Sequence, residues 1–390
     1  MLTSACYVVL FILCFVYSYF PTMKMITKIS EEVDDMYNAH CHAGSLSRPA
    51  IIDSLRKTLQ SKSVFEAEQP VCVADFGTAD GRASLSLMKE IIEIIKQDCG
   101  QEQTIVVCFN DQPTNDFCRL SQVIQGFEQG LRLPAYSNIY PVMIPRTMYE
   151  QCLPDNSVDL AISSVATHYL SKRICYIKQG ASIAYADENE ERLMKEQGKA
   201  DWRAFVISRG KELKPGGFLI TMNISADTKN EKPFSELYGI KHLASFVTDM
   251  ARDGIITQEE YLATNLCTQE IRTDADFMEP FTSCLTEIQD LGLELVSIKP
   301  FKHFLQHQTF DIVQKDDKVK LEYSRQIVAF AYPWMYHVIY EGLSDNRTEE
   351  DKQTITDQYF SRIQKYAFDH SDFRPFLNLT EVIIKKTHRN

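Results

Sequence analysis

None of the eleven cysteines forms a C-x-x-C pair, and their odd total and scattered positions speak against both a disulfide framework and a zinc site. They read as reduced thiols of an intracellular protein, with Cys72 and Cys108 packed inside apolar runs. Basic residues are also scarce: 41 against 53 acids leave a net charge of −12, with no local basic stripe. That balance opposes contact along a phosphate backbone, so nucleic acid is not an expected partner. Neither G-x-G-x-x-G nor a G-K-[ST] ending is present to hold a di- or triphosphate. No Ser-His-Asp or metal-ligand spacing is evident, and there is no internal repeat or low-complexity tract. What remains, 390 residues that are 44% apolar, suffices for one large α/β domain with a cap, or for two domains.

The first long hydrophobic run is at the N-terminus, where Leu2 to Phe20 is almost continuously apolar and uncharged, close to bilayer-spanning length. It lacks the basic start and small-x-small end of a cleaved signal peptide. Lys24 and Lys28 follow it, so a single-pass anchor over residues 1–22 would leave the main body in the cytosol. A start at Met23 or Met25 would remove the segment and leave a soluble cytoplasmic protein. Sequons at Asn223, Asn346 and Asn378 would matter only in a secretory lumen.

The segment Val71-Cys-Val-Ala-Asp-Phe-Gly-Thr-Ala-Asp-Gly81 is an apolar run ending in an acid and two glycines, which predicts a buried strand turning tightly into a helix. Without phosphate-binding spacing, such a turn suits a nucleoside-like, phosphate-free cofactor, and the pattern leans toward S-adenosylmethionine (SAM). Thr104-Ile-Val-Val-Cys-Phe-Asn-Asp111 is a second acid-ended run, which places Asp111 where a doubly wound sheet offers a carboxylate to ribose hydroxyls. Asp111 could instead cap a helix before Pro113, a task open also to Asn115 or Asp116.

Between these runs the apolar stripe of Ala83 to Lys96 predicts a helix packed on the sheet, and another helix is expected over Pro49 to Gln60. A helix over Asn115 to Leu131, strands at Ile139–Ile144 and Val158–Ser164, a helix over Ala200–Leu213 stopped by Lys214-Pro-Gly-Gly217, and a strand at Phe218–Met222 follow. This alternation implies a parallel sheet. Residues 229–291 are too long for a simple crossover and read as a helical cap; Leu293–Ile298 and Thr380–Lys386 complete seven strands around an amphipathic stretch at Lys315–His370. The domain plan is therefore a cofactor-binding core at 23–228, a cap at 229–291, and the rest of the sheet with a helical insertion at 292–390.

From Tyr37-Asn-Ala-His-Cys41 onward the chain resembles the SABATH family of SAM-dependent carboxyl methyltransferases, the salicylate, benzoate and theobromine type. The resemblance runs through Ala74–Gly81, Phe109-Asn-Asp-Gln-Pro-Thr-Asn-Asp-Phe117, Ile144-Pro-Arg-Thr-Met-Tyr149, Leu153–Val158, Ser163-Ser-Val-Ala-Thr-His-Tyr-Leu-Ser171, Phe277–Phe281 and Asn378–Lys386. It implies a Rossmann-like, seven-stranded class I methyltransferase sheet with a mostly helical cap. It further implies that Asp75, Gly77, Thr78 and Gly81 shape the cofactor's amino-acid end, Asp111 holds its ribose and Gln112 lies along the adenosine. Thr147 and Met148 would bracket the adenine, Ser163 and Ser164 would meet the sulfonium, and Tyr37 would close the site. His168 and Tyr169 would contact the carboxylate of a small, apolar acid; without the resemblance, His168 reads as a satisfied histidine near a strand end.

The implied chemistry needs no general base, because a carboxylate with a reference pKa of about 4 is already ionised. Alignment and desolvation suffice for an in-line displacement. The chain departs from the family at Cys41 and Gly44, where a serine and a substrate-binding glutamine are usual, and at Thr78 and Ala83 near the cofactor turn. Met278 and a displaced Asp276 remove the proposed magnesium position, so no metal is expected. These departures motivate an alternative, a catalytically silent SAM-fold protein that binds a ligand or partner. A homodimer is left open.

Overall fold

The computed structural model describes residues 46–62, 69–127, 132–179, 185–226, 240–264, 271–304, 316–371 and 376–388. The apolar segment at 1–22, Tyr37, Cys41 and Gly44 lie outside the described residues. Among the described residues no helix is long and apolar enough to cross a membrane.

Seven strands form one sheet: β1 (Val71–Phe76), β2 (Ile105–Asp111), β3 (Ile139–Pro145), β4 (Val158–Ser164), β5 (Leu213–Ile224), β6 (Leu293–Phe304) and β7 (Phe376–Lys386), in the order β3-β2-β1-β4-β5-β7-β6. Strands β1 to β5 pair in parallel, but β7 inserts antiparallel between β5 and β6. The expectation of a parallel sheet is corrected there. Strand β7 arrives from a helical hairpin rather than from a right-handed crossover helix, so nothing in its connection imposes the common direction.

Strand period explains why both faces are covered. Val71 and Val73 of β1 face a core with α1 (Arg48–Ser61), α2 (Arg82–Cys99) and α3 (Phe117–Gln125), whereas Cys72, Ala74 and Phe76 face the opposite core. The opposite core is built on α4 (Glu188–Glu212) and the short helices α7 (Asp274–Met278), α8 (Pro280–Ser283) and α9 (Leu285–Leu291), whose Phe277 and Ile288 pack beside Trp202 and Phe205. A third core joins α5 (Ile240–Arg252), α6 (Gln258–Ala263), α10 (Asp317–Gly342) and α11 (Glu349–Asp369).

Several boundaries differ from the sequence expectations: β6 runs on to Phe304 and β7 begins at Phe376. Helix α4 starts twelve residues earlier than Ala200, because Asp187 and Glu190 form a reciprocal capping box that nucleates a strongly polar first half. Helix α3 is shorter at both described ends: Asp116 accepts from the Arg119 amide at 2.9 Å and caps it, and Gly126 ends it with φ +85°. The Lys214-Pro-Gly-Gly217 stretch stops α4 but lies within β5, where the β4 register shifts between Val158 and Leu160. Asn223 and Asn378 are buried within β5 and β7, which removes both as glycan acceptors in the folded chain.

Candidate functional site

Period 2 along β1 carries Asp75 to the same face as Val71 and Val73, where the strand gives way to α2. The residue is only 3% exposed, and its Oδ2 has no hydrogen-bond partner among the described residues. Burial pushes its pKa up to about 6, offset in part by the Ser84 and Thr78 hydroxyls, with the Asp111 charge adding to the rise. A buried acceptor held in that state suits a donating cation such as an ammonium group.

The turn from β1 into α2 is shaped by close approach. Gly77 has φ +79°, and a β-carbon there would lie 2.3 Å from the Ala166 Cβ, with the Met148 sulfur at 4.0 Å. Three segments, after β1, β3 and β4, therefore converge on a backbone that admits no side chain. The turn is tied to β2: the Ala79 amide donates to Asp111 Oδ2 at 2.7 Å, and Asn115 Nδ2 donates to the Ala79 carbonyl at 2.8 Å. Ala79 itself is left-handed, with φ +50°.

Asp111 thus does not cap α3; Asp116 does. Its Oδ1 accepts from the Gln112 amide at 2.8 Å, and burial raises its pKa. Each oxygen has a second lone-pair site for a hydroxyl. The Gln112 side chain is exposed beside it.

After β3, Thr147 and Met148 are half-buried in a tight turn, with the Glu150 amide donating to the Thr147 carbonyl at 3.2 Å. Arg209 of α4, fully buried, holds that turn from beneath: its Nη1 reaches the Met148 carbonyl at 2.6 Å and Nη2 the Glu150 carbonyl at 2.8 Å. The guanidinium lies 3.9 Å from the Phe76 ring centroid and pairs with buried Glu212 at 2.7 Å. Glu212 in turn accepts from the Cys152 and Leu153 amides. No role was expected of Arg209. The available signal was a charge at position i+7 of the buried stripe Trp202, Phe205, Val206, Arg209.

After β4, the Ser163 hydroxyl donates to the Phe76 carbonyl at 2.8 Å and ties the ends of β4 and β1, while Ser164 is half-buried at the strand end. Val165 has φ +53°, a costly conformation for a β-branched residue, and its amide donates to the Met222 carbonyl at 2.7 Å. The following turn is held at several points. Thr167 Oγ1 donates to Asn223 Oδ1 at 2.6 Å, Arg272 Nη1 donates to the Thr167 carbonyl at 2.6 Å, and Ser171 bonds Asp201. His168 is 4% exposed and Tyr169 41%, their ring centroids 4.3 Å apart.

The ends of β1, β2, β3 and β4 therefore bring together Asp75, Gly77, Thr78, Gly81, Asp111, Gln112, Thr147, Met148, Ser163, Ser164, His168 and Tyr169 at the carboxyl edge of the sheet. Tyr37 is the one expected site residue outside the described residues. Among the described residues no group of three or more His, Cys, Asp or Glu could hold a metal ion.

A family model described as SAM dependent carboxyl methyltransferase matches residues 34–270. Methyltransferase LUC1 of a Fusarium species is 24% identical over 86% of this chain and 91% of its own length. Jasmonate O-methyltransferase of Arabidopsis thaliana is 23% identical over 83% of this chain and 90% of its own. A solved structure of loganic acid methyltransferase with SAH superimposes with a TM-score of 0.64 at 18% identity, covering 90% of this chain and 94% of that one. The fold is thus that of class I SAM-dependent methyltransferases, and the buried acceptor at Asp75 beside the carboxylate at Asp111 is a donor-seeking site that fits SAM. With more than half its length matched by the family model, this chain belongs to the SAM-dependent carboxyl methyltransferases.

Proposed function

We propose that the chain methylates the carboxylate of a small, apolar acid, using the residue roles expected from its sequence. The observation that carries this reading is the pair Asp75 and Asp111 on neighbouring strands, the first with a buried oxygen that has no partner among the described residues and the second hydrogen-bonded to Ala79 in the Gly77–Gly81 turn. SAM, when bound, supplies an activated methyl group. Asp75 would hold its cationic amino group, Asp111 its ribose hydroxyls, and Thr147 and Met148 its adenine. The acceptor arrives ionised, so the protein removes no proton from it. His168 and Tyr169, adjacent and one turn from the β4 end, would each direct a donor at an acceptor oxygen and so fix the line of attack. Closure by Tyr37 and the cap would exclude water. The helical core that joins α5 and α10 would supply the apolar wall that selects the acid.

Membrane attachment through residues 1–22 belongs to the same proposal: an anchored enzyme would meet apolar acids where they concentrate. Carbonate extraction of membranes carrying the native product tests it, and full release into the soluble fraction overturns it. Light scattering would report whether a homodimer forms.

The direct test titrates SAM by calorimetry, then incubates the protein with methyl-labelled SAM and a panel of carboxylic acids and extracts neutral esters. Binding in the micromolar range and labelled ester are expected. Asp111→Ala should weaken SAM binding at least tenfold, whereas ester formation undiminished by this change would overturn the site assignment.

A further inference from the structure

We propose that Tyr149 is a positioning strut between the turn after β3 and the turn after β4, which transmits order from the cofactor side of the site to the acceptor side. The inference rests on the proposed assignment only in naming the two sides. The Tyr149 phenol donates to the Thr167 carbonyl at 3.2 Å and contacts the Tyr169 carbonyl as a second acceptor. Those carbonyls belong to the residues on either side of His168, so the single phenol proton, shared or alternating, sets the peptide planes that aim the imidazole.

Both ends of the strut are anchored on buried arginines. The Tyr149 backbone lies between the two carbonyls that Arg209 grips at 2.6 and 2.8 Å, and the Thr167 carbonyl is also held by Arg272 at 2.6 Å. Tyr149 packs its ring in the apolar cluster with Met148 and Leu153, so its hydroxyl can be removed without opening the core. A displacement at Met148 would reach His168 through one side chain.

The test is Tyr149→Phe followed by amide hydrogen exchange, first without ligand. The Tyr169 and Ser171 amides donate to the Ala166 carbonyl at 3.2 Å and to Asp201 at 2.8 Å and report the order of the second turn. Their exchange is expected to rise about tenfold, the value of one hydrogen bond, while residues 146–153 change less than about twofold. Tyr140→Phe, at an exposed phenol on β3, should alter neither. Unchanged exchange at Tyr169 and Ser171 would overturn the proposal. With S-adenosylhomocysteine as probe, the wild type should gain protection in both segments and Tyr149→Phe only in residues 146–153. Arg272→Lys should loosen the second turn yet leave its response to the probe in place, because the phenol bridge remains. Equal protection of both segments in Tyr149→Phe would also overturn the strut. Failure of the probe to bind the wild type would count against the cofactor assignment, while the ligand-free comparison still decides the strut.

Discussion

Asp75 concentrates the physical cost of the site in one side chain. Its carboxyl is buried, has an oxygen without a partner among the described residues, and is pushed by burial up to about 6 from an ordinary value of 3.8. A group whose pKa is raised by folding stabilises the native state fully below its unfolded value and loses that contribution as pH rises through the folded one. Near neutral pH the ionised carboxylate therefore costs the ligand-free protein about 3 kcal/mol. Asp75→Asn should raise the ligand-free melting temperature at pH 7.5, with the gain shrinking toward pH 4, and should weaken SAM binding at least tenfold. Calorimetry across this range should show wild-type affinity for SAM falling as pH drops below about 6, since a protonated Asp75 offers no charge to an ammonium group. A flat affinity profile and an unchanged melting temperature would remove Asp75 from the site.

Helix α4 shows how one element can serve the sheet and the site together. Its Trp202, Phe205 and Val206 cover the sheet, and the next turn of the same stripe delivers Arg209 to the carbonyls after β3 and Glu212 to the amides after them. Both ions are buried, so the pair satisfies groups that would otherwise lie in the core unbonded. Arg209→Met would leave Glu212 buried without its cation and is expected to cost about 3–5 kcal/mol in urea denaturation. The double change with Glu212→Gln should cost less than the single one, because it removes the stranded charge. A loss below about 1 kcal/mol for Arg209→Met would show that solvent replaces the clamp. The charge on the apolar stripe was readable in the sequence, but its partners are separated from it by about sixty residues of chain.

For the whole molecule, ion pairs with a buried partner tie both the sheet and the helical core of α5, α6, α10 and α11, and the helical core has one at its edge. It is locked at its rim by Glu260, which completes the capping box of α6, accepts from the Ser344 amide at 3.0 Å and pairs with Arg347. The Arg347 hydrogen bond holds the Glu260 pKa down at about 2 against an ordinary value of 4.5. A depressed carboxylate contributes stability above its unfolded value, and that contribution is lost as pH falls from about 4.5 toward about 2. Glu260→Gln should therefore lower the melting temperature at pH 7, with the difference from wild type closing over that acidic interval. A gap that persists at pH 2 would mean that packing, and not the ion pair, had been disturbed. Lysines and arginines on the surface are worth little beside this tie.

Local pattern was enough to specify seven strands, acids at or beside the ends of β1 and β2, and a glycine turn after β1 without phosphate-binding spacing. Each of these is a local property: an apolar run of strand length, a glycine that meets the next segment, a carboxylate at a fixed offset. Motif blocks likewise identified His168 and Tyr169 as site candidates before any geometry was known. Tertiary structure alone decided that β7 runs antiparallel between β5 and β6, since Val382, Ile383 and Ile384 present the same buried pattern in either direction. It alone decided that Asp116 and not Asp111 caps α3, because the choice depends on which carboxylate the Ala79 amide engages first. The roles of Tyr149, Arg209 and Arg272 were likewise beyond local reading. Periodicity specifies which face a residue occupies, but the carbonyls those side chains bind are brought within 3.2 Å only when distant strand ends converge.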